Sequence, residues 1–177
     1  MKTLLTARQV AGALDKLYDV VQAELPRDPR IAIVGIRTRG ETLARRIAER
    51  LRQQRPRQKI ELGVLDITFY RDDLSRRRGV PLVRATEIDF DLDDTWVLVV
   101  DDVLQTGRSI RAALDALHDF GRPKAVQLAV LIDRGGRQLP IAADFVGKKV
   151  KAPEGARVQV KLNENDGEEG AFIIEDR

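Results

Sequence analysis

Residues 96–109 read WVLVVDDVLQTGRS and constrain this chain more than any other stretch. The run 96–100 is apolar without alternation. That predicts a strand buried on both faces, as in a parallel sheet covered by helices. Asp101 and Asp102 follow at its carboxyl end, where open α/β sheets bind ligands. After Val103, Leu104 and Gln105, the segment Thr106-Gly107-Arg108-Ser109 opens a helix. Ile110, Ala113, Leu114 and Leu117 give that helix one apolar face. The first turn of a helix presents unpaired backbone N–H groups and the positive end of the dipole, a natural anion site. Gly107 lets the backbone approach an oxyanion closely. Thr106 and Ser109 add hydroxyl donors. One loop thus joins carboxylates suited to sugar hydroxyls with a cradle suited to phosphate.

The rest of the chain repeats the same alternation. Thr6 and Gln9 form a capping box ahead of a helix whose Val10, Leu14, Leu17, Val21 and Leu25 share a face. IAIVGI at 31–36 is a second short apolar strand. It feeds the turn Arg37-Thr38-Arg39-Gly40 and a helix over about 41–54, with Leu43, Ala44, Ile47, Ala48 and Leu51 inward. Further strands are predicted at 60–70, 125–132, 157–162 and 171–174. Residues 70–84 are polar and charged, hold Gly79 and Pro81, and have the length of a functional loop. The stretch 133–151 reads as mostly loop, broken by Phe145-Val146. Gly121 caps the fingerprint helix, with Pro123 just beyond. Helices alternating with apolar strands imply a single α/β domain over 1–177, with a central parallel sheet.

Composition narrows the chemistry. The chain has 177 residues, no Cys and one His. Disulfides, thiolate metal sites, His clusters and Ser-His-Asp triads are therefore excluded or nearly so. No apolar run reaches the roughly 18 residues of a membrane span, and the first twenty residues lack a signal-peptide core, so a cytoplasmic protein is expected. Net charge is only +3, but the cations are clustered. One group is Arg45, Arg46, Arg50, Arg52, Arg55, Arg57 and Lys59. A second is Arg71, Arg76, Arg77, Arg78 and Arg84. A third is Lys148, Lys149, Lys151, Arg157 and Lys161. Each is either a solvated face or a surface for a polyanion.

Acidic pairs at strand ends also occur in receiver domains and Walker B strands. The full pattern resembles the phosphoribosyl pyrophosphate (PRPP) fingerprint of type I phosphoribosyltransferases. The resemblance extends through VGIRTRGETLARRIAERL, LDITFYRDDLS, VLVVDDVLQTGRSIRAALDAL and GRPKAVQLAVLIDRGGRQLPIAADFVGKKV. Those segments are similar to the PyrR family, uracil phosphoribosyltransferases that also attenuate transcription of the pyrimidine operon.

The resemblance implies a type I phosphoribosyltransferase fold, with a lid over about 70–84 and a hood over about 133–177. It implies Mg²⁺-dependent transfer from PRPP to uracil, giving UMP and diphosphate. Asp101 and Asp102 would take the ribose hydroxyls with Mg²⁺ nearby, and residues 103–109 (Val103, Leu104, Gln105, Thr106, Gly107, Arg108, Ser109) the 5-phosphate and ribose. Thr38, Arg39 and Gly40 would face the pyrophosphate, near a strained or cis peptide at about Thr38-Arg39. Arg71 and Asp72 would belong to the lid, with Arg71 catalytic alongside the two aspartates. The base would lie under the hood at Asp133, Arg134, Phe145 and Val146, with Phe145 stacking and Arg134 aiding base or pyrophosphate. A leader mRNA, bound under UMP or UTP control by a homodimer or higher oligomer, would meet Lys148, Lys149, Lys151 and Arg137. The first helix and residues 134–161 would contribute to that surface. Two positions depart from relatives. Gln105 stands where purine enzymes carry an aspartate, which argues against a purine base. Gly136 stands where many family members carry His. The alternative is a plain uracil or purine phosphoribosyltransferase without an RNA role.

Overall fold

The computed structural model describes residues 1–27, 30–73 and 85–175. Five strands form a parallel sheet in the order β3-β2-β4-β5-β6: β2 Ile31–Ile36, β3 Ile60–Leu65, β4 Trp96–Leu104, β5 Ala125–Asp133 and β6 Phe145–Lys149. Three helices cover it: α1 Ala7–Glu24, α2 Arg39–Gln54 and α3 Arg108–Leu117. The apolar runs are continuous because both faces are buried. In β2, Ile31 and Ile33 join the core beneath α1 and α2, while Ala32, Val34 and Ile36 join the core beneath α3. β4 divides in the same way, with Trp96, Leu98 and Val100 on one side and Val97 and Val99 on the other. A period of two thus feeds two cores from each strand.

α1 begins with the capping box foreseen: the Gln9 N–H donates to Thr6 Oγ1, and Gln9 Oε1 accepts from the Thr6 N–H at 2.9 Å. β4 runs four residues beyond its apolar stretch, so Asp101 and Asp102 lie within the ladder, with Asp101 opposite Val130. α3 stops at Leu117, and a 3₁₀ turn, His118–Phe120, leads to Gly121. The strand expected over 60–70 ends at Leu65, followed by a 3₁₀ turn at Thr68–Tyr70.

A second, antiparallel sheet has the order β1-β8-β7, with β1 Lys2–Leu5, β7 Arg157–Lys161 and β8 Gly170–Ile174. One helical turn, α4 Asn163–Asp166, links β7 to β8. Two differences from the sequence expectations stand out. β1 lies ahead of the capping box and pairs with β8, placing the amino-terminal segment in the hood. Residues 145–149, read as loop and hood, instead form the fifth parallel strand, with Phe145 opposite Ala129. Among the described residues no helix is long and apolar enough to cross a membrane.

Candidate functional site

The carboxyl ends of β2, β3 and β4 open onto a cavity of about 420 Å³, lined by Thr38, Arg39, Asp66, Thr68, Asp101 and Asp102 among others. A neighbouring cavity of about 300 Å³ holds residues 103–110, Arg71, Asp72, Asp73 and the β7 residues Arg157 and Val158. Arg71, Val103 and Ser109 line both, so the two are halves of one cleft.

Asp101 is 8% exposed. Its Oδ1 accepts from the Asp102 N–H at 2.9 Å, and Asp102 Oδ1 accepts from the Val103 N–H at 2.9 Å. These bonds turn both carboxylates back on their own strand. Burial pushes Asp101 well above the ordinary carboxylate range, and the adjacent Asp102 charge adds to this. Burial raises Asp102 as well, opposed by the Asp101 hydrogen bond and by Arg39. The arrangement is a pair of desolvated acids, the setting in which a bound cation or a row of hydroxyl donors is most favoured.

At the far end of the cleft Gly107 precedes α3 with φ +91°, a left-handed conformation open to glycine. The Thr106 carbonyl accepts from the Gln138 and Leu139 N–H groups at 3.0 and 3.2 Å, which ties the loop to residues 138–139. Arg108 donates through Nε to Gln138 at 3.0 Å and pairs with Asp72 at 2.5 Å. Arg71, between the two cavities, forks onto Asp73 with both contacts at 2.9 Å. Arg76, Arg77, Arg78 and Arg84, expected from sequence to lie in a lid, fall outside the described residues.

The first turn sits across the cleft. The peptide between Arg37 and Thr38 is cis, one bond before the expected place. Arg37, which also lines the cavity, pairs with Glu41 and Glu87 at 3.3 and 2.6 Å. Arg39 lines the cavity and pairs with Asp166 of α4 at 2.6 Å. Gly40 is buried rather than cavity-facing. A Cβ there would lie 2.5 Å from the Val100 carbonyl oxygen, so its hydrogen is what lets α2 rest on β4.

The family model of the phosphoribosyl transferase domain matches residues 2–165. A Roseiflexus sp. (strain RS-1) protein named bifunctional protein PyrR is 50% identical over 174 residues, covering 98% of this chain and 94% of that one. This chain belongs to the PyrR family of phosphoribosyltransferases. PyrR proteins of the same name from Deinococcus radiodurans and Clostridioides difficile are 47% and 43% identical, over 93% and 97% of this chain and 90% and 97% of theirs. The fold is shared more widely. A hypoxanthine phosphoribosyltransferase from Staphylococcus aureus superposes with TM-score 0.67 at 18% identity, over 96% of this chain and 90% of that one.

In this PyrR-family chain the cleft gathers Thr38, Arg39, Arg71, Asp101, Asp102 and residues 103–109, all named from sequence. It does not gather the expected base residues. Phe145 is 2% exposed and packs in the core shared with α1, so it has no face to offer a base. Val146 packs on the α3 side. Arg134 is buried, donates to the Ala156 carbonyl, and lines a separate cavity of about 390 Å³ with Asp133, Lys149 and Lys151. Arg137, expected at the RNA surface, spends its guanidinium on its own loop. It donates to Ile141 O and Gln105 O at 2.9 Å each and to Asp133 at 2.6 Å. Sequence reasoning passed over Asp66, Thr68 and Val158 as site residues and read Arg157 only as surface charge. Asp66 carried a signal, since it directly follows the carboxyl end of a parallel strand, where open α/β sheets bind ligands. Val158 carried none.

Proposed function

We propose that this protein transfers the phosphoribosyl group of PRPP to uracil, forming UMP and diphosphate, and uses the same site to sense UMP or UTP while binding a pyrimidine-operon leader mRNA. The observation that carries the reading is the single cleft in which Asp101 and Asp102 lie between two anion-binding turns, in a chain of the PyrR family. PRPP needs that spacing: a phosphate at C5, hydroxyls at C2 and C3, and a diphosphate at C1. The α3 amino terminus (Thr106, Gly107, Arg108, Ser109) takes the 5-phosphate. Asp101 and Asp102 take the ribose hydroxyls. Thr38 and Arg39 face the diphosphate, and Gly40 serves by seating α2.

Mg²⁺ fits this donor set. No group of three or more candidate ligands forms a cage among the described residues. Mg²⁺, however, commonly uses one or two carboxylates and completes its shell with water and substrate phosphate oxygens. Two burial-raised acids supply that share. Bound there, the ion would neutralise charge on the diphosphate. As the ribose C1–O bond breaks and the uracil nitrogen bonds to C1, the reacting carbon gains positive charge and must be kept from water. Arg71, placed between the two cavities, supplies cationic charge beside the departing diphosphate.

The base belongs against Gln105 and β7, where Arg157 and Val158 close the cleft. The Gln105 amide cannot act as a base at neutral pH, so the uracil proton leaves to solvent or to the diphosphate. For RNA, Lys148, Lys149 and Lys151 are exposed, and no ion pair claims them among the described residues. Arg137 is reassigned to holding its loop.

The decisive experiment is UMP formation by wild type and Asp102→Asn. The variant is expected to lose about a hundredfold or more in kcat/KM with its fold intact, the scale of losing one preorganised electrostatic contact. Wild-type kinetics would remove Asp102 from the site. A second reading, a phosphoribosyltransferase without an RNA role, is favoured by one observation. Four members of the first arginine cluster are engaged internally: Arg45 by Glu41, Arg46 by Glu164 and Glu169, Arg50 by Asp15, and Arg52 by the Ile60 carbonyl. Leader-hairpin binding with and without UMP decides between the two.

A further inference from the structure

Arg39 does not enter the cleft alone. Its guanidinium meets Asp166 edge-on, with Nη2 2.6 Å from Oδ1 and Nε 3.1 Å from Oδ2. The partners are 127 residues apart in the chain. Asp166 is itself held: Oδ2 accepts from the Leu162 N–H at 2.9 Å, and its own N–H donates to the Leu162 carbonyl at 2.8 Å. Glu164 and Asn165 of α4, and Glu169 just after it, are tied to α2 in the same way. Thr42 Oγ1 lies 2.7 Å from Asn165 Oδ1, and Arg46 reaches Glu164 and Glu169 at 2.6 and 2.9 Å. The helix that opens at the diphosphate turn is thus clamped by the hood. We propose that Asp166 is a positioning residue for the diphosphate end of the cleft, acting through Arg39.

The physical case has two parts. A planar guanidinium engaged through Nε and Nη2 has its orientation fixed and keeps Nη1 for another acceptor. Arg39 also shares its cavity with Asp101 and Asp102. Without Asp166, the anions facing it in the cavity are those two carboxylates, and Asp102 already attracts it. A guanidinium drawn onto them would occupy the groups meant for ribose and leave the diphosphate without its cation. Asp166 thereby holds Arg39 in the cleft without letting it close the cleft. Nothing in the seam's other contacts does this, because Thr42 and Arg46 lie on α2 beyond the cavity walls.

The inference rests on the phosphoribosyltransferase reading, and the test separates the two. Diphosphate binding by calorimetry and steady-state kinetics would be measured on the full chain for wild type, Asp166→Ala, Asp166→Asn, Arg39→Ala and the Arg39→Ala/Asp166→Ala double variant. Asp166→Ala is expected to weaken diphosphate and raise KM for PRPP about tenfold, the range of a charge-assisted contact. Its kcat is expected to stay within about threefold, and KM for uracil to stay unchanged. Asp166→Asn keeps an acceptor for the Leu162 N–H, so it remains folded if the alanine variant does not, and shows the same direction. The double variant is expected to be no worse than Arg39→Ala, within the roughly twofold error of additivity. Thr42→Val, in the same seam, is expected to lower Tm without moving diphosphate affinity. Additive losses, or a lowered Tm with unchanged diphosphate affinity in Asp166→Asn, would overturn the inference alone. A wild type that binds neither diphosphate nor PRPP would overturn the proposed function and this inference with it.

Discussion

Asp101 shows how function and stability oppose each other at one side chain. It is buried, close to Asp102, and lifted well above the usual carboxylate range by desolvation. A carboxyl raised on folding favours the native state while it is protonated. That contribution is present below the unfolded value and is lost as pH rises through the folded value, above which a buried charge remains. Asp101→Asn keeps the acceptor oxygen for the Asp102 N–H and removes the charge. The Tm of the ligand-free variant is expected to rise relative to wild type as pH climbs through the folded value, by about 2–4 °C per kcal/mol recovered. The advantage should shrink as the buffer is made acidic and wild type takes up its proton. Catalysis should be lost at the same time. Thermal melts across pH test this, and a Tm difference that does not grow with pH contradicts it. The acids themselves were legible from sequence, and so were the turns on either side. Which way a side chain turns was not. Phe145 and Arg137 have the right chemistry in the right segment, yet one packs beneath α1 and the other closes its own loop.

At the scale of elements, close packing decides what can change. Gly40 seats the first turn of α2 on β4, where an added Cβ would lie 2.5 Å from the Val100 carbonyl oxygen and 3.2 Å from the Asp101 Cα. Backbone on both sides leaves no flexible side chain to give way. Gly40→Ala is expected to cost about 1–3 kcal/mol in overpacking, and to raise KM for PRPP by moving the 38–39 turn away from the aspartates. Gly12, on the exposed side of α1, has nothing within 4 Å of its Cβ position. Gly12→Ala is expected to stabilise by about 1 kcal/mol through helix propensity alone, leaving kinetics untouched. Denaturant melts of both variants check the contrast; equal effects would mean that the α2–β4 contact is not tight. β2, β4 and β5 were readable as strands because burial on two faces removes polar alternation. β1 and β6 were not. Each is short, mixes lysine with apolar residues, and lies at a sheet edge, where pairing depends on partners distant in the chain.

For the whole molecule, the basic character of the chain (pI about 9.4) overstates the surface left for a polyanion. Much of the arginine is structural: Arg46 binds the hood, Arg52 and Arg55 bind carbonyls, and Arg50 lies over the Tyr18 ring at 4.0 Å. A count of cations cannot reveal this, because pairing is a property of the fold. Lys148, Lys149 and Lys151, at the carboxyl end of β6, remain exposed. If they seat the leader RNA, each phosphate contact contributes about 0.7–0.9 to the slope of log K against log salt. Lys148→Ala/Lys149→Ala/Lys151→Ala is then expected to reduce that slope by about 2–3 and to weaken every RNA sequence alike. Arg45→Ala, which removes a cation already paired with Glu41, is expected to leave the slope unchanged. UMP formation should be unaffected in the triple variant, since none of the three lysines lines the cleft. Filter binding over a salt series measures the slope. A triple variant with the wild-type slope would place the RNA elsewhere, and a wild type with no slope at all would leave the cleft as the sole functional surface of the described residues.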